Sequence, residues 1–550
     1  MPASPLLGAD EVVAIEVLVN GAPLPDSALI FSITARQTTS RPGRLKLKAD
    51  QITGSKCKPG SAIAVKVGYG GGARQFVFQG TVQSVADTVQ SDNAFSIIVA
   101  EDALEKLGDV MVDKVSLQVK RSDIISQIIS EAGLSADVPA STVQESQVLI
   151  TGRSALEVCM EFAADEGLLL HAEDTKIIFT RADGQPASVL AITYGQDVIH
   201  FAGVGPRQVP GQVTYKSWSI GDGALLQAQA AVPQGTLKGV VRQSGNQNQA
   251  YLDALAAGAV RELGLMAFSG ETSFQGSTLV KVGVRIHMDG QGGGSLDPMN
   301  FVPGDYTVTG CTHVIEDGNY VTTVNVGLDQ PLPRPLPVPA PFLPAVVSKI
   351  CQDPDGLGRF RVQLVTIDPE QGVWAFPVSP YNGFYFPHDI GDQVLVSFLM
   401  NDPSVLAIVG TLPSKKMAFS YTRVAPADDK PGVGQLAYGQ SKLELAPGTG
   451  SGVAIASLST QALKVELRDG GNSDQKISLQ GAQAATAEVA DGHVRLKTGA
   501  SLIDVAQTQI SSSSPLIQAT AQTAMTLNAS AGITLDAAVI SLNKDALKVI

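Results

Sequence analysis

Few reactive side chains in this 550-residue sequence are spaced as chemistry would require. Cys311 and His313 are two residues apart, which on a strand places both on one face. A metal site needs further ligands, and none is near in sequence, so we expect a buried, satisfied pair. Asp165 and Glu166 are adjacent acids on a predicted helix, where neighbouring side chains diverge, and we expect them on a solvated face. We therefore predict no enzyme activity, no cofactor and no metal.

Residues 345–413 are rich in aromatic side chains, which could stack on single-stranded nucleic acid. These residues are Trp374, Phe376, Tyr381, Phe384, Tyr385 and Phe386. A stacking platform also needs a basic groove. The segment has three bases, Lys349, Arg359 and Arg361, against seven acids, and the whole chain carries a net charge of -13. This balance repels phosphate, so we predict no nucleic-acid partner and assign the aromatic residues to packing.

The composition indicates a β-rich protein of several domains. Hydrophobic residues make up 44% of the chain, charged residues 17%, and there are 55 glycines. The four cysteines lie far apart, which fits synthesis in a reducing cytoplasm. The N-terminus has no basic segment typical of a secretory signal, and no apolar run reaches the length of a membrane span. We therefore expect assembly in the cytoplasm without a signal peptide.

Three helices and many short strands are predicted in the first 330 residues. Alternating apolar residues predict strands over residues 12–120, resembling a small antiparallel barrel. Residues 122–132 place four isoleucines on one helical face and end at Gly133. Ser154 and Glu157 have the spacing of a capping box and open a second helix that stops at Gly167. A third helix is expected near residues 250–263.

Residues 331–344 contain a proline at nearly every second position, which predicts an extended, semi-rigid linker. The following segment, residues 345–413, has five strand-like runs separated by turn residues, which is typical of a small barrel of the OB type. Residues 414–460 are rich in Gly, Ala and Ser, and we interpret them as a neck.

A short apolar-x-Leu unit recurs in residues 461–550. The copies are Val465-Glu466-Leu467, Ile477-Ser478-Leu479, Val494-Arg495-Leu496, Met525-Thr526-Leu527, Ile533-Thr534-Leu535 and Ile540-Ser541-Leu542. The alternation predicts strands, and the short spacing suits a stacked β-solenoid or prism. Each strand offers only one or two apolar side chains, so we infer that several identical chains wind together around a common axis. A single-chain solenoid and a disordered tail are the alternatives.

Several motifs resemble the VgrG and phage tail-needle family. The OB segment contributes Asp353-Pro354-Asp355-Gly356-Leu357-Gly358-Arg359-Phe360-Arg361-Val362, Trp374-Ala375, Gly391-Asp392-Gln393-Val394-Leu395-Val396-Ser397-Phe398, Asp402-Pro403 and Ile408-Val409-Gly410. The first part contributes Glu166-Gly167-Leu168, Pro303-Gly304-Asp305-Tyr306 and Gly318-Asn319-Tyr320-Val321-Thr322-Thr323. They occur in the family's order of hub, OB module and prism.

The resemblance implies a mainly β fold with three parts: a hub of two small β-barrels and a few helices over residues 1–330, an OB-fold module over residues 345–413, and an intertwined triple-stranded β-prism or β-helix over residues 461–550. It implies a homotrimeric spike and hub of a contractile injection system that pierces the target envelope. The implied partners are an inner tube protein, baseplate proteins, a PAAR-type tip protein, the target cell envelope and effector cargo.

Within this scheme we assign the trimer core and the tip to residues of the repeat. The predicted core consists of Leu479, Leu496, Leu527, Ile533, Leu535, Ile540 and Leu542. The predicted docking plane for the tip protein consists of Leu547, Val549 and Ile550. The family's lysozyme domain, His-x-His metal tip and C-terminal toxin have no counterpart in this sequence.

Two other functions remain open at this stage. A tail fibre or adhesin would bind a receptor through the repeat, although no aromatic residue follows Gln461 to stack on a glycan. A cell-wall hydrolase of a phage tail is the other alternative. The sequence does not separate an extracellular phage-tail-like particle from a cell-anchored type VI secretion system.

Overall fold

The computed structural model describes residues 12–90, 93–182, 187–204, 207–246, 248–290, 303–335, 342–379, 388–399, 402–412, 434–438, 440–446, 453–470, 475–481, 485–490, 493–506, 509–519, 526, 529–532, 534 and 536. The chain divides into two compact units, Met1–Ser414 and Lys415–Ile550. Among the helices of these residues, none combines the length and the apolarity needed to cross a bilayer.

The first unit begins with an antiparallel sheet that follows the predicted alternation. Its strands are β1 (Val13–Val19), β2 (Ala22–Pro23), β3 (Ile30–Thr38), β4 (Arg41–Asp50), β5 (Ala62–Tyr69), β6 (Gln75–Gln90) and β7 (Asn93–Glu101), with helix α1 (Gln51–Gly54) after β4. Alternate residues such as Leu45 and Leu47 on β4 and Ile63 and Val65 on β5 are buried in one core. The period of two thus separates core from solvent.

An α/β segment follows, built around two of the predicted helices. Its elements are α2 (Ala103–Gly108), β8 (Met111–Lys120), α3 (Arg121–Glu131), β9 (Ser135–Asp137), β10 (Gln144–Ser154), α4 (Ala155–Glu166), β11 (Leu168–Glu173) and β12 (Lys176–Arg181). Ser154 and Glu157 form the predicted capping box at the start of α4. Gly167 ends this helix in the left-handed conformation, with φ of 61°.

The next elements complete the part of the first unit that precedes the proline-rich segment. They are β13 (Leu190–Thr193), β14 (Val198–Val204), β15 (Gln212–Ser219), β16 (Ala224–Ala231), β17 (Val240–Gln243), α5 (Gln249–Met266), β18 (Ser269–Gln275), β19 (Arg285–Asp289), β20 (Gly304–Glu316) and β21 (Asn319–Gly327). β20 pairs with β3, which joins the early and late strands in one 13-stranded sheet. The early strands and the late strands each pack on a separate apolar core. Where two small barrels were predicted, the structure has one shared sheet with two cores.

Five strands close into a barrel after the proline-rich segment. They are β22 (Leu343–Lys349), β23 (Phe360–Gln363), β24 (Gly372–Pro377), β25 (Gln393–Leu399) and β26 (Asp402–Thr411), in the order β22-β23-β24-β26-β25. The prediction of a mainly β chain that carries an OB barrel is confirmed.

The second unit contains a nine-stranded antiparallel sheet in which each strand pairs with the next along the chain. The strands are β27 (Gly434–Tyr438), β28 (Ser441–Ala446), β29 (Ala454–Ser459), β30 (Lys464–Asp469), β31 (Gln475–Gln480), β32 (Thr486–Ala490), β33 (His493–Thr498), β34 (Ser501–Ala506) and β35 (Ile510–Ser513). The units at Val465, Ile477 and Val494 lie on β30, β31 and β33, as predicted. The winding of three chains around one another stays a prediction.

Candidate functional site

The register of the C-terminal sheet aligns its aliphatic side chains into two rows. One row runs through Leu436, Leu443, Leu458, Val465, Leu479, Ala487, Leu496 and Ile503. The other runs through Leu445, Ala456, Leu467, Ile477, Val489, Val494, Val505 and Ile510. Both rows lie on the same face, because their members are two residues apart on each strand. We call them the two apolar rows.

The opposite face carries a polar row that is better covered than the apolar rows. Ser457, Glu466 and Ser478 are directly paired along this row, and they are only 4%, 8% and 2% exposed. In contrast, the Leu, Val and Ile side chains of the two apolar rows from Leu436 to Val505 are 38% to 55% exposed. A single chain thus covers its polar row while it leaves an aliphatic surface open to water, which is unfavourable for a free monomer.

Ion pairs on the polar face fix the pairing of these strands. Lys476 on β31 lies 3.3 Å from Glu488 on β32, and Arg495 on β33 lies 2.7 Å from Asp504 on β34. A slip of one residue would turn every side chain to the other face, so these pairs help to keep both apolar rows on one side.

Two of the predicted trimer-core residues lie in the apolar rows. Leu479 and Leu496 belong to the first row and are 50% and 48% exposed. The remaining predicted core residues (Leu527, Ile533, Leu535, Ile540 and Leu542) and the predicted tip residues (Leu547, Val549 and Ile550) lie outside the described residues. The assignment of all ten stays a prediction. Leu443, Leu445 and Leu458 also belong to the apolar rows, although the sequence places them in the predicted neck. The alternation Leu443-Glu444-Leu445 indicates a strand of the same kind as the later repeats.

In the first unit, the paired strands β8 and β10 pack against one side of the closed OB barrel. Val115 on β8 and Leu149 on β10 belong to the barrel's apolar core. Gln147 on β10 is 5% exposed, and its Nε2 donates to the backbone oxygens of Trp374 and Ser404 at 3.1 and 2.6 Å. The backbone N–H of Trp374 donates in return to Gln147 Oε1 at 2.8 Å. Residues of β8 and β10, from much earlier in the chain, therefore extend the apolar core of the barrel and hold its strands β24 and β26.

The Asp-Pro-Asp-Gly motif of the barrel is held by one carboxylate. Asp353 accepts the backbone N–H groups of Asp355, Leu357 and Arg359 at 3.1, 2.9 and 3.1 Å. Arg359 Nη2 donates to Asp353 Oδ1 at 2.7 Å, and the Arg359 guanidinium lies over the ring of Trp374 at 6.0 Å. Despite burial, these hydrogen bonds lower the pKa of Asp353 to about 2. Because Arg359 is engaged here, it is a poor candidate for phosphate binding.

The expectation that Asp165 and Glu166 form a solvated face is wrong. Asp165 Oδ2 accepts Arg121 Nη1 at 2.8 Å and the Tyr251 hydroxyl at 3.1 Å, and Glu166 lies 3.8 Å from Arg261. Helix α5 supplies Tyr251 and Arg261 because it crosses the end of α4 closely. At the crossing, a Cβ on Gly258 of α5 would lie 1.9 Å from the Asp165 backbone oxygen.

Cys311 and His313 are buried, as expected. The Tyr320 hydroxyl lies 2.9 Å from His313 Nδ1 and the Thr322 hydroxyl lies 3.2 Å from it. Burial lowers the pKa of His313 to about 4 and raises the pKa of Cys311 to about 12, so both are neutral near pH 7. Within the described ranges, no group of three or more His, Cys, Asp and Glu side chains is arranged to hold a metal ion.

Two protein-family models match the chain. The model of the Alg8 N-terminal domain matches residues 9–317, which is more than half of the chain. The model of the type VI secretion system/phage-baseplate injector OB domain matches residues 343–412, which contain the closed barrel. No curated protein matches the chain.

Solved structures of injection and tail proteins are similar to this chain at low sequence identity. An Escherichia coli component of the type VI secretion system is 16% identical, with 72% of this chain and 99% of that chain covered and a TM-score of 0.47. A 43 kDa tail protein of prophage MuSo2 from Shewanella oneidensis is 15% identical, with coverage of 57% and 98% and a TM-score of 0.45. A chain of the Francisella PdpA–VgrG complex is 9% identical, with coverage of 92% and 82% and a TM-score of 0.49.

Along the chain, the match to the Alg8 N-terminal domain comes first and the match to the injector OB domain follows it. The resemblance to the VgrG and phage tail-needle family is confirmed by the barrel match, which indicates a hub or spike role. The chain therefore belongs to the Alg8 N-terminal domain family and is a VgrG-like protein with the OB domain of type VI secretion and phage-baseplate injectors.

Proposed function

We propose that this chain forms a homotrimeric central spike and hub of a contractile injection system. In this proposal, the hub joins the inner tube and the baseplate to the spike, and the C-terminal unit pierces the target envelope. The protein has a mechanical role and catalyses no reaction. The family match of the OB barrel supports the hub and spike part of this function.

The observation that supports the trimer is that the C-terminal sheet exposes its apolar side chains and buries polar ones. Its apolar rows are about half exposed, whereas Ser457, Glu466 and Ser478 of the polar row are buried. Three copies that face one another across an axis would bury the rows of all three chains. The burial of aliphatic surface would then stabilise a fibre whose individual strands are too short to be stable alone.

The proposed partners follow from this arrangement. Inner tube and baseplate proteins would contact the hub, a PAAR-type tip protein would dock at Leu547, Val549 and Ile550, and effector cargo would travel with the spike. Assembly would take place in the cytoplasm, and the protein would act in an extracellular or secreted particle.

Thiol cross-linking tests the proposed axis. The exposed Cys351 is first replaced by serine, while the buried Cys57, Cys159 and Cys311 are retained. In this background, Leu479→Cys should give dimers and trimers with a short bismaleimide, because three copies of residue 479 would meet near the axis. The matched control is Gln480→Cys, whose side chain lies on the opposite face and should stay monomeric on a denaturing gel. Equal cross-linking of both variants, or none in either, would contradict the arrangement.

The non-enzymatic part of the proposal has a separate test. Purified protein is added to a suspension of bacterial cell walls, and the turbidity is followed over time with lysozyme as a positive control. We expect no change in turbidity. A loss of turbidity that depends on protein concentration would favour the hydrolase alternative.

A further inference from the structure

A cavity of about 720 Å³ lies between the hub and the OB barrel. Its wall combines residues from α3, β10, α5 and the start of β26, among them Arg121, Glu145, Leu255 and Asp402. The exposed Gln243 lies at its rim, which connects the cavity to solvent. The volume is typical of sites for small ligands.

One end of the cavity carries more carboxylates than cations. Arg121 Nη1 lies 2.8 Å from Asp165, and Arg121 Nε lies 3.5 Å from Glu145 Oε1, so one guanidinium serves two acids. Asp402 adds a third carboxylate in the same cavity. It accepts the backbone N–H of Ser404 at 2.8 Å, but it makes no ion pair with any residue that the structure describes.

The other arginines around the cavity are engaged with their own partners. Arg153 pairs with Glu161. Arg334 donates to both oxygens of Glu262, at 2.9 and 3.0 Å, and Arg242 lies over the ring of Tyr215. Glu145 therefore shares Arg121 with Asp165, and Asp402 has no ion-pair partner among the described residues.

Glu145 is the side chain that points to a missing partner. It is only 6% exposed, and its Oε2 accepts Asn246 Nδ2 at 3.1 Å. Its Oε1 lies at ion-pair distance from Arg121 Nε, 3.5 Å, but accepts no hydrogen bond from the described part of the chain. Burial raises the pKa of Glu145 to about 7; the nearby Asp402 also raises this pKa, whereas Arg121 lowers it. A buried carboxylate oxygen that accepts no hydrogen bond is costly, so a further donor at this position would stabilise the folded protein.

We propose that this cavity binds an organic cation, either an alkylammonium or an alkylguanidinium group, between Glu145 and Asp402. The cation donates hydrogen bonds to Glu145 Oε1, which accepts none from the described residues, and to the Asp402 carboxylate. Its methylene chain lies along the apolar part of the wall, where Leu255 and Phe398 contribute. The volume and this apolar wall favour an organic cation over a bare metal ion, which would need only a small polar site.

A lysine or arginine side chain of a partner protein and a free diamine share this chemistry. Thermal unfolding of the full chain at pH 8.0 is measured against increasing agmatine, and in a second arm against N-acetyl-lysine methylamide. We expect a saturable rise in the melting temperature with at least one of them. Saturation by agmatine alone assigns a free amine, whereas saturation by the lysine derivative assigns a side chain of a partner.

Variants locate the binding site. The double variant Glu145→Gln with Asp402→Asn should lower the affinity for the same probe at least tenfold. The matched control Glu370→Gln, on an exposed position of the barrel, should bind like the wild type. The unliganded melting curve of each variant shows whether it is folded. The absence of saturable binding by the wild type, unchanged binding by the folded double variant, or equally tight binding of MgCl₂ would each overturn the proposal.

Discussion

The substitution Leu479→Asp places a charge in the first apolar row and tests the proposed trimer most sharply. Leu479 is 50% exposed in one chain. Full burial of a leucine is worth about 2 kcal/mol, so about 1 kcal/mol per chain remains to be gained by association, or about 3 kcal/mol per trimer. Truncation to alanine should therefore raise the trimer dissociation constant about 100-fold.

Aspartate should have a larger effect than alanine, because its carboxyl group must be neutral to be buried on the axis. A shift of its pKa from about 4 to above 7 costs about 4 kcal/mol in each of three chains. We expect Leu479→Asp to be monomeric at micromolar concentration by analytical ultracentrifugation.

The control for this experiment changes the neighbouring residue on the other face. Gln480→Asp introduces the same side chain into the same strand, at an exposed position of the polar face. It should remain trimeric, which separates the effect of a charge on the axis from the poor strand propensity of aspartate. A normal trimer from Leu479→Asp would refute the assignment of the apolar rows to the axis.

The remaining predictions concern the first unit. Gln147→Ala removes three partly buried hydrogen bonds to the barrel backbone and should lower the free energy of unfolding in urea by about 3 kcal/mol. No loss of stability would show that Gln147 does not hold the barrel. The pKa of Asp353 is lowered, so the ionised carboxylate stabilises the fold above about pH 4, and this stabilisation is lost as the pH falls towards 2. Asp353→Asn should therefore lower the free energy of unfolding by about 1–2 kcal/mol at pH 7 and by little at pH 2. The pKa of Glu145 is raised, so its ionisation weakens the fold as the pH rises from about 4.5 to 7, and Glu145→Gln should unfold at a higher urea concentration than the wild type at pH 8. Equal stability of these two proteins at pH 8 would contradict the buried position of Glu145.

The sequence alone predicted the elements whose signals are local. The capping box at Ser154 and Glu157 defined the start of α4, and Gly167 defined its end. In the OB barrel, β24 (Gly372–Pro377) has the bounds that the alternation and the turn residues indicate. Each of these signals depends on residues within a few positions of one another, so it can be read without knowing the tertiary fold.

Contacts between distant segments could not be predicted in this way. Alternation on β3 and β20 shows which face is apolar, but it does not show that these two strands pair. Gln147 has no local signal for its contact with Trp374. No signal near Asp165 in the sequence shows that α5 packs beside it, so the sequence placed this side chain in solvent. Helix α5 supplies Tyr251 and is positioned by its close approach to α4 at Gly258.

The mass of the full-length protein in solution tests the central claim most directly. Light scattering coupled to size-exclusion chromatography at micromolar concentration should give three times the mass of one chain, with a circular dichroism spectrum rich in β structure. A soluble species with the mass of a single chain and the same spectrum would contradict the account, because the apolar rows would then be stable without a partner.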